Sequence, residues 1–327
     1  MGSERLSVVV TRRLPAPVEA RMADLFDVET NPPDRPLSRE ALIEAMGRCD
    51  VLVPTITDRI DAGALARAGT RLKLIAQYGA GVDNLDVETA RRRGLLVTNT
   101  PGVTTDDTAD LTLALIMAVL RRIPDGLTAM ETGWAGWAPT AFLGGRLSGK
   151  RLGILGMGRI GQAVAHRARA FGMEVHYHNR RPLSAPSPLA PEAVYHESLD
   201  QMVARIDVLS VNCPHTPSTF HLLNARRIAL MKPGAVVINT SRGEVIDENA
   251  LARALVNGTL AGVGLDVFEH REEVNDRLRI LPNVVLLPHM GSATREGRLE
   301  MGDRVIANIQ TFAEGRRPPD QVFSSTF

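Results

Sequence analysis

Short runs of β-branched and aliphatic residues alternate along the chain with stretches whose apolar positions recur every three or four residues. Residues 6–11, 51–55 and 72–77 carry the strand pattern, and 18–26, 39–48 and 62–68 between them carry the helical one. A second series of strands is predicted at 151–155, 174–177, 208–212, 235–239, 262–266 and 284–287. Strands alternating with helices imply parallel sheets with helices on their faces, and two series imply two α/β units in tandem. Residues 106–123, acidic at the start and mostly apolar afterwards, predict one helix carrying the chain from the first unit into the second. Residues 294–314 place Val305, Ile306, Ile309 and Phe312 on one face, so this helix must dock; it is expected to return to the first unit. The Pro/Ser cluster at 181–191 predicts a surface loop.

Composition narrows the partners. At 327 residues the chain suits two domains. Its 38 basic residues against 37 acidic leave a charge of +1, without the broad positive field that nucleic-acid or anionic-membrane binding needs. Only three of the basic residues, Lys73, Lys150 and Lys232, are lysines. Cys49 and Cys213 make no disulfide framework, and no Cys/His spacing suits a metal, so a reducing, cytoplasmic compartment is expected. The amino terminus has no signal-type apolar region, and the longest apolar run, 111–120, covers about half of the ~20 residues that span a bilayer. No membrane association is expected.

The first chemical motif is Gly156-Met157-Gly158-Arg159-Ile160-Gly161, between a predicted strand and a predicted helix. Gly156 allows a tight turn, Gly158 lets backbone approach a pyrophosphate, and Gly161 lets the helix pack closely on its strand, with the helix N-terminus facing the anion. A dinucleotide is the implied ligand. At the end of the next strand, an NAD site would offer Asp or Glu to the ribose hydroxyls, but this chain reads His178-Asn179-Arg180-Arg181. Two guanidiniums without a carboxylate suit a 2′-phosphate, so NADP is expected over NAD, with Asn179, Arg180 and Arg181 as its ligands.

Three further blocks lie where predicted strands end: Asn239-Thr240-Ser-Arg242-Gly, Gly262-Val-Gly-Leu-Asp266-Val-Phe-Glu269, and Leu287-Pro-His289-Met-Gly291-Ser-Ala-Thr294. With the glycine loop and Gln77-Tyr-Gly79-Ala80-Gly81-Val-Asp-Asn84, their order and spacing resemble the D-isomer-specific 2-hydroxyacid dehydrogenases, most closely the glyoxylate/hydroxypyruvate reductase branch. The resemblance runs from about Val51 to the C-terminal helix. It implies a Rossmann-type dinucleotide-binding domain at 101–287, inserted in a flavodoxin-like substrate domain made of 1–100 and 288–327. It also implies NADPH-dependent reduction of a small 2-keto acid to the D-2-hydroxy acid, in a closing cleft of a homodimer.

By the same resemblance Arg242 is the catalytic arginine, whose forked donors can bridge carboxylate and keto oxygen, and His289 is the general acid/base. Thr108, Cys213, Pro214, Thr240, Asp266 and Gly291 join the cofactor residues. Ile56, Gly79, Ala80, Gly81 and Trp137 join Arg242 and His289 around the substrate, with Trp137 also at the subunit interface. Cys213 has no histidine pairing that would make it a nucleophile. One position departs from the family: the glutamate expected five residues after Asp266, which holds the histidine protonated, is Arg271. Two arrangements follow. In one, the loop shifts by a residue and Glu272 supplies the carboxylate; in the other, the dyad is broken and the chain is a weak enzyme or a dinucleotide-responsive, corepressor-like binding protein. Formate and phosphite dehydrogenases share the fold, but their usual NAD use conflicts with Asn179-Arg180-Arg181.

Overall fold

The computed structural model describes residues 5–185, 187–270 and 273–323. Internal contacts divide the chain into one compact unit of Met1–Thr104 with Ala293–Phe327 and another of Thr105–Ser292. The first begins with β1 (Ser7–Val10), α1 (Ala16–Leu25), β2 (Asp27–Glu29), α2 (Arg39–Arg48) and β3 (Val51–Val53). It continues through α3 (Ala62–Arg67), β4 (Leu74–Ala76), α4 (Val87–Arg92) and β5 (Leu96–Thr98). All strand pairs are parallel, in the order β2-β1-β3-β4-β5, which is the flavodoxin-like order.

The second unit opens with α5 (Thr105–Leu120) and α6 (Ile123–Thr132), then β6 (Arg151–Leu155), α7 (Arg159–Ala170), β7 (Glu174–His178) and β8 (Val194–Tyr195). It proceeds through α8 (Leu199–Val203), β9 (Val208–Val211), α9 (Ala225–Leu230), β10 (Ala235–Asn239) and α10 (Glu248–Val256). β11 (Leu260–Leu265), α11 (Asp276–Arg279) and β12 (Val284–Leu286) complete it. Its seven parallel strands run β12-β11-β10-β9-β6-β7-β8, with the order reversing direction between β6 and β9. The chain is therefore α/β, with two all-parallel sheets.

Each sheet is buried on both faces, because a parallel sheet crossed by helices needs apolar residues on both sides. In the second unit one core gathers Met202, Leu209, Val237, Leu251 and Leu265, and the other Ile116, Leu152, Ile154, Val164 and Ile238. In the first, Leu52, Leu65 and Ile75 lie on one face, and Val10, Val53 and Leu74 lie on the other. α12 (Arg295–Ala313) closes this second face with Met301, Val305, Ile306 and Ile309, and Gly302 lets it approach α1 so closely that an added Cβ would stand 2.3 Å from Val18 Cγ2.

The helix expected over 106–123 ends three residues early, and a second helix follows it. α5 stops at Leu120, Arg122 takes a left-handed φ of 54°, and Pro124 sits in the first turn of α6, where its missing N–H costs nothing. Among the described residues no helix is long and apolar enough to cross a membrane.

Candidate active site

The second unit's motifs converge because its strand ends form one row. Leu155 pairs with His178 and Val211, Val211 with Asn239, Asn239 with Leu265, and Leu265 with Leu286. Every motif follows one of these residues, at the carboxyl edge where open α/β sheets bind ligands, and the glycine loop lies at the switch point beside β6 and β9.

At that switch each glycine has a different constraint. Gly156 has a φ of 102°, and a Cβ there would lie 2.7 Å from the Cys213 backbone nitrogen. Gly161 brings α7 against the loop, so a Cβ would lie 2.2 Å from the Gly156 carbonyl oxygen. At Gly158, by contrast, a Cβ would meet nothing within 4 Å. Gly158 is also the N-cap of α7, and no side chain caps that helix. Its first N–H groups, flanked by open space, form a cradle that fits a dinucleotide pyrophosphate. Arg159 and Ile160 begin the helix, with Arg159 exposed and Ile160 half-buried, while Met157 is buried under the loop.

Asn179 does more than the sequence suggested: its Oδ1 accepts the Met157 N–H at 2.7 Å, tying the end of β7 to the glycine loop. Arg180 and Arg181 are exposed beyond it. Behind them, His178 Nδ1 meets the His196 carbonyl oxygen and His196 Nε2 meets His176 Nδ1, each at 2.9 Å. Burial lowers the pKa of both His176 and His196, and their mutual proximity lowers that of His196 further. Cys213 lies under the loop with its thiol pushed up to about 12 by burial, which leaves it inert, and Pro214 follows it.

The catalytic candidates occupy the ends of β10, β11 and β12. The Asn239 side chain staples the turn after β10: its Oδ1 accepts the Ser241 N–H and hydroxyl, and its Nδ2 donates to the Arg242 carbonyl. Arg242, half-buried, donates from Nη1 to the Ser241 carbonyl at 2.7 Å. Thr240 is buried with its hydroxyl 2.8 Å from that of Thr112. Asp266, 1 % exposed, accepts the N–H groups of Met290 and Gly291 at 2.8 Å each, and burial raises its pKa against the pull of those two bonds. Thr108 donates its hydroxyl to the Gly291 carbonyl at 3.1 Å. These bonds fix the turn from which His289 projects, exposed and at a left-handed φ of 54°. Arg242 and His289 thus rise from strands two places apart, about 10 Å between strand axes. Glu272, like Arg271, lies outside the described residues.

In the first unit the Gly79-Ala80-Gly81 turn is held by its carbonyls, which accept from the Thr100 N–H, Asn99 Nδ2 and Gln77 Nε2. Ile56 lies beside it, its Cγ2 3.4 Å from where a Gly79 Cβ would be. Both segments rest on a buried network. Asp58, 3 % exposed, accepts from Thr11 and Thr55, and Asn84 links Thr55, Asp58 and Gln77. Trp137 is 82 % exposed, with Trp134, Phe142 and Leu143 exposed near it in sequence. The sequence reading missed Asn239 and Thr112 as supports. Only Asn239 left a signal, a side-chain-capped turn of the Asn-x-Ser type at a strand end.

Residues 113–291 match the family model described as D-isomer specific 2-hydroxyacid dehydrogenase, NAD binding domain. A glyoxylate reductase of Thermococcus litoralis is 44 % identical over 321 residues, 96 % of each chain. Among solved structures, one described as a putative D-isomer specific 2-hydroxyacid dehydrogenase from Polaromonas superposes with a TM-score of 0.92 at 38 % identity, covering 98 % of this chain and 100 % of that one. An NADPH-dependent glyoxylate/hydroxypyruvate reductase from Sinorhizobium meliloti, solved with NADP and malonate, gives 0.87 at 33 % identity, covering 99 % and 98 %.

Proposed function

This chain belongs to the D-isomer specific 2-hydroxyacid dehydrogenases, in the glyoxylate reductase branch, as an NAD(P)-dependent oxidoreductase of 2-keto acids, and from that premise we propose that it uses NADPH to reduce glyoxylate or hydroxypyruvate. The product is the 2-hydroxy acid, of D configuration where it is chiral. The observation that carries this reading is the single row of strand ends bearing the glycine cradle, the Arg242 turn and the His289 turn.

A nicotinamide dinucleotide held at the glycine cradle would supply the hydride. The Arg242 fork bridges the substrate's carboxylate and keto oxygen, each charge-assisted bond contributing about 1.5–3 kcal/mol. His289, as imidazolium, gives its proton to the developing alkoxide, and in the reverse direction accepts the hydroxyl proton. A carboxylate at Glu272 keeps that imidazole protonated between turnovers. The amides of Gly79, Ala80 and Gly81, with Ile56, take the substrate carboxylate in the unit built from both chain ends, which we assign to substrate. Arg180 and Arg181 pair with the 2′-phosphate, and Asn179 holds the loop beneath. The exposed Trp137 segment is assigned to the homodimer interface, and the compartment to the cytoplasm.

Oxidation of NADPH and NADH should be followed with glyoxylate, hydroxypyruvate, pyruvate and an aryl-pyruvate. Turnover is expected with the first two, faster with NADPH. Tight NADPH binding without turnover of any keto acid would overturn the reading in favour of a corepressor-like protein.

A further inference from the structure

Behind the Arg242 turn lies a pair of carboxylates that the hydride-transfer scheme does not use. Glu248, the first residue of α10, is 2 % exposed. Its Oε1 accepts the Glu269 N–H at 2.7 Å, while Glu269 Oε2 accepts the Glu248 N–H at 3.3 Å, so the two residues grip each other's backbone. Glu269 Oε1 also lies 2.6 Å from His221 Nε2. The segment between Arg242 and Glu248 is enclosed on both sides. His221 and Leu223 donate their N–H groups to the carbonyls of Glu244 and Val245, and on the other side a Cβ at Gly243 would stand 1.8 Å from the Phe268 carbonyl carbon.

We propose that Glu248 is a positioning residue: by clasping Glu269 it holds the turn that carries Arg242 against the loop after β11, and so sets the place of the guanidinium. The inference rests on the reading that Arg242 grips the keto acid. Glu248 Oε2 is buried without a hydrogen-bond partner among the described residues. An ionised oxygen so placed costs far more than a neutral acid. Burial of that oxygen favours the neutral acid at Glu248. The groups facing Glu248 agree on balance: burial raises its pKa most, the charges of Glu269 and Glu244 add to that, and the Glu269 N–H and His270 oppose it. With a raised folded pKa, the contribution of Glu248 to the clasp is fully present below the ordinary carboxylate range and is lost as pH rises through the folded value, where a charge is left on the buried, unpartnered oxygen.

The test compares the full-length parent with E248A and E248Q, each with NADPH. Steady-state kinetics with glyoxylate and amide hydrogen exchange over 243–248 are measured from about pH 4 to about pH 9. For E248A, the keto-acid KM should rise at least about tenfold with the NADPH KM within about twofold, and amide protection over 243–248 should fall about tenfold. A Gln amide oxygen can accept from the Glu269 N–H and the side chain carries no charge, so E248Q should restore most of the protection. It should also abolish the parent's loss of protection as pH rises. The proposal is overturned if E248A matches the parent in keto-acid KM and protection, or if parent and E248Q share one pH dependence of protection. The second comparison stands if E248A does not fold. A parent that turns over no keto acid refutes the activity reading, while the protection data still decide the clasp.

Discussion

Gly158 and Gly161 are three residues apart in one loop, yet alanine at the two positions should produce different failures. At Gly161 the new Cβ would lie 2.2 Å from the Gly156 carbonyl oxygen and 3.1 Å from its carbon. Both are backbone atoms at the end of β6, so neither can rotate away, and α7 must move outward by roughly 1 Å to restore ordinary contact. Overpacking of that kind costs about 1–3 kcal/mol. In a unit of this size each kcal/mol lowers Tm by about 2–4 °C, which gives a fall of about 2–12 °C. The displaced helix N-terminus should weaken dinucleotide binding as well. At Gly158 the added methyl meets no protein atom within 4 Å, and a φ of −81° suits any residue. G158A should therefore melt within about 1 °C of the parent. The same methyl would occupy the approach of the pyrophosphate and weaken NADPH about 10–100-fold, about 1.4–2.8 kcal/mol. Calorimetric melting without cofactor and titration with NADPH separate the two effects. If G158A binds NADPH like the parent, or G161A melts with it, the assignment of one glycine to ligand space and the other to packing space is wrong.

Arg242→Ala should lower kcat/KM for the keto acid about 10³-fold, about 4 kcal/mol, with NADPH affinity within about threefold; Arg242→Lys should recover little, because a point charge cannot bridge two oxygens. Near-parental kinetics in the lysine variant would remove Arg242 from its role. The double change Arg180→Glu with Arg181→Glu should raise the NADPH KM at least about tenfold and leave NADH less affected, since a 2′-phosphate is repelled by acids; an unchanged KM ratio would refute the cofactor assignment. Protonation of the buried His176 and His196 is disfavoured in the fold, so their contribution to stability is present above the ordinary histidine range and lost as pH falls below it. Tm should therefore decline from about pH 7.5 to about pH 5.5, and His196→Gln should blunt the decline; parallel curves for parent and variant would count against a buried histidine pair as its source.

The main strands were legible because a buried parallel strand needs a continuous apolar run, as at Arg151–Leu155 and Ala235–Asn239. Asp27–Glu29, Leu96–Thr98 and Val194–Tyr195 are too short for any periodicity to register. The break after Leu120 was signalled by Arg121, Arg122 and Pro124, but the apolar run before it and Ile123 after it concealed it. The glycine loop was readable from its spacing because Gly161 packs on Gly156 within the loop, although the close approach of Gly156 to Cys213 is long-range. By itself the sequence determined the α/β class, the dinucleotide loop, the absence of an acid after His178, and Arg242 and His289 as candidates. Tertiary structure decided what holds them. Asp266 reaches Met290 and Gly291, Asn179 reaches Met157, and Glu248 grips Glu269. Each contact joins residues at least twenty positions apart, brought together only when neighbouring strands pair in register, and local spacing carries no record of that.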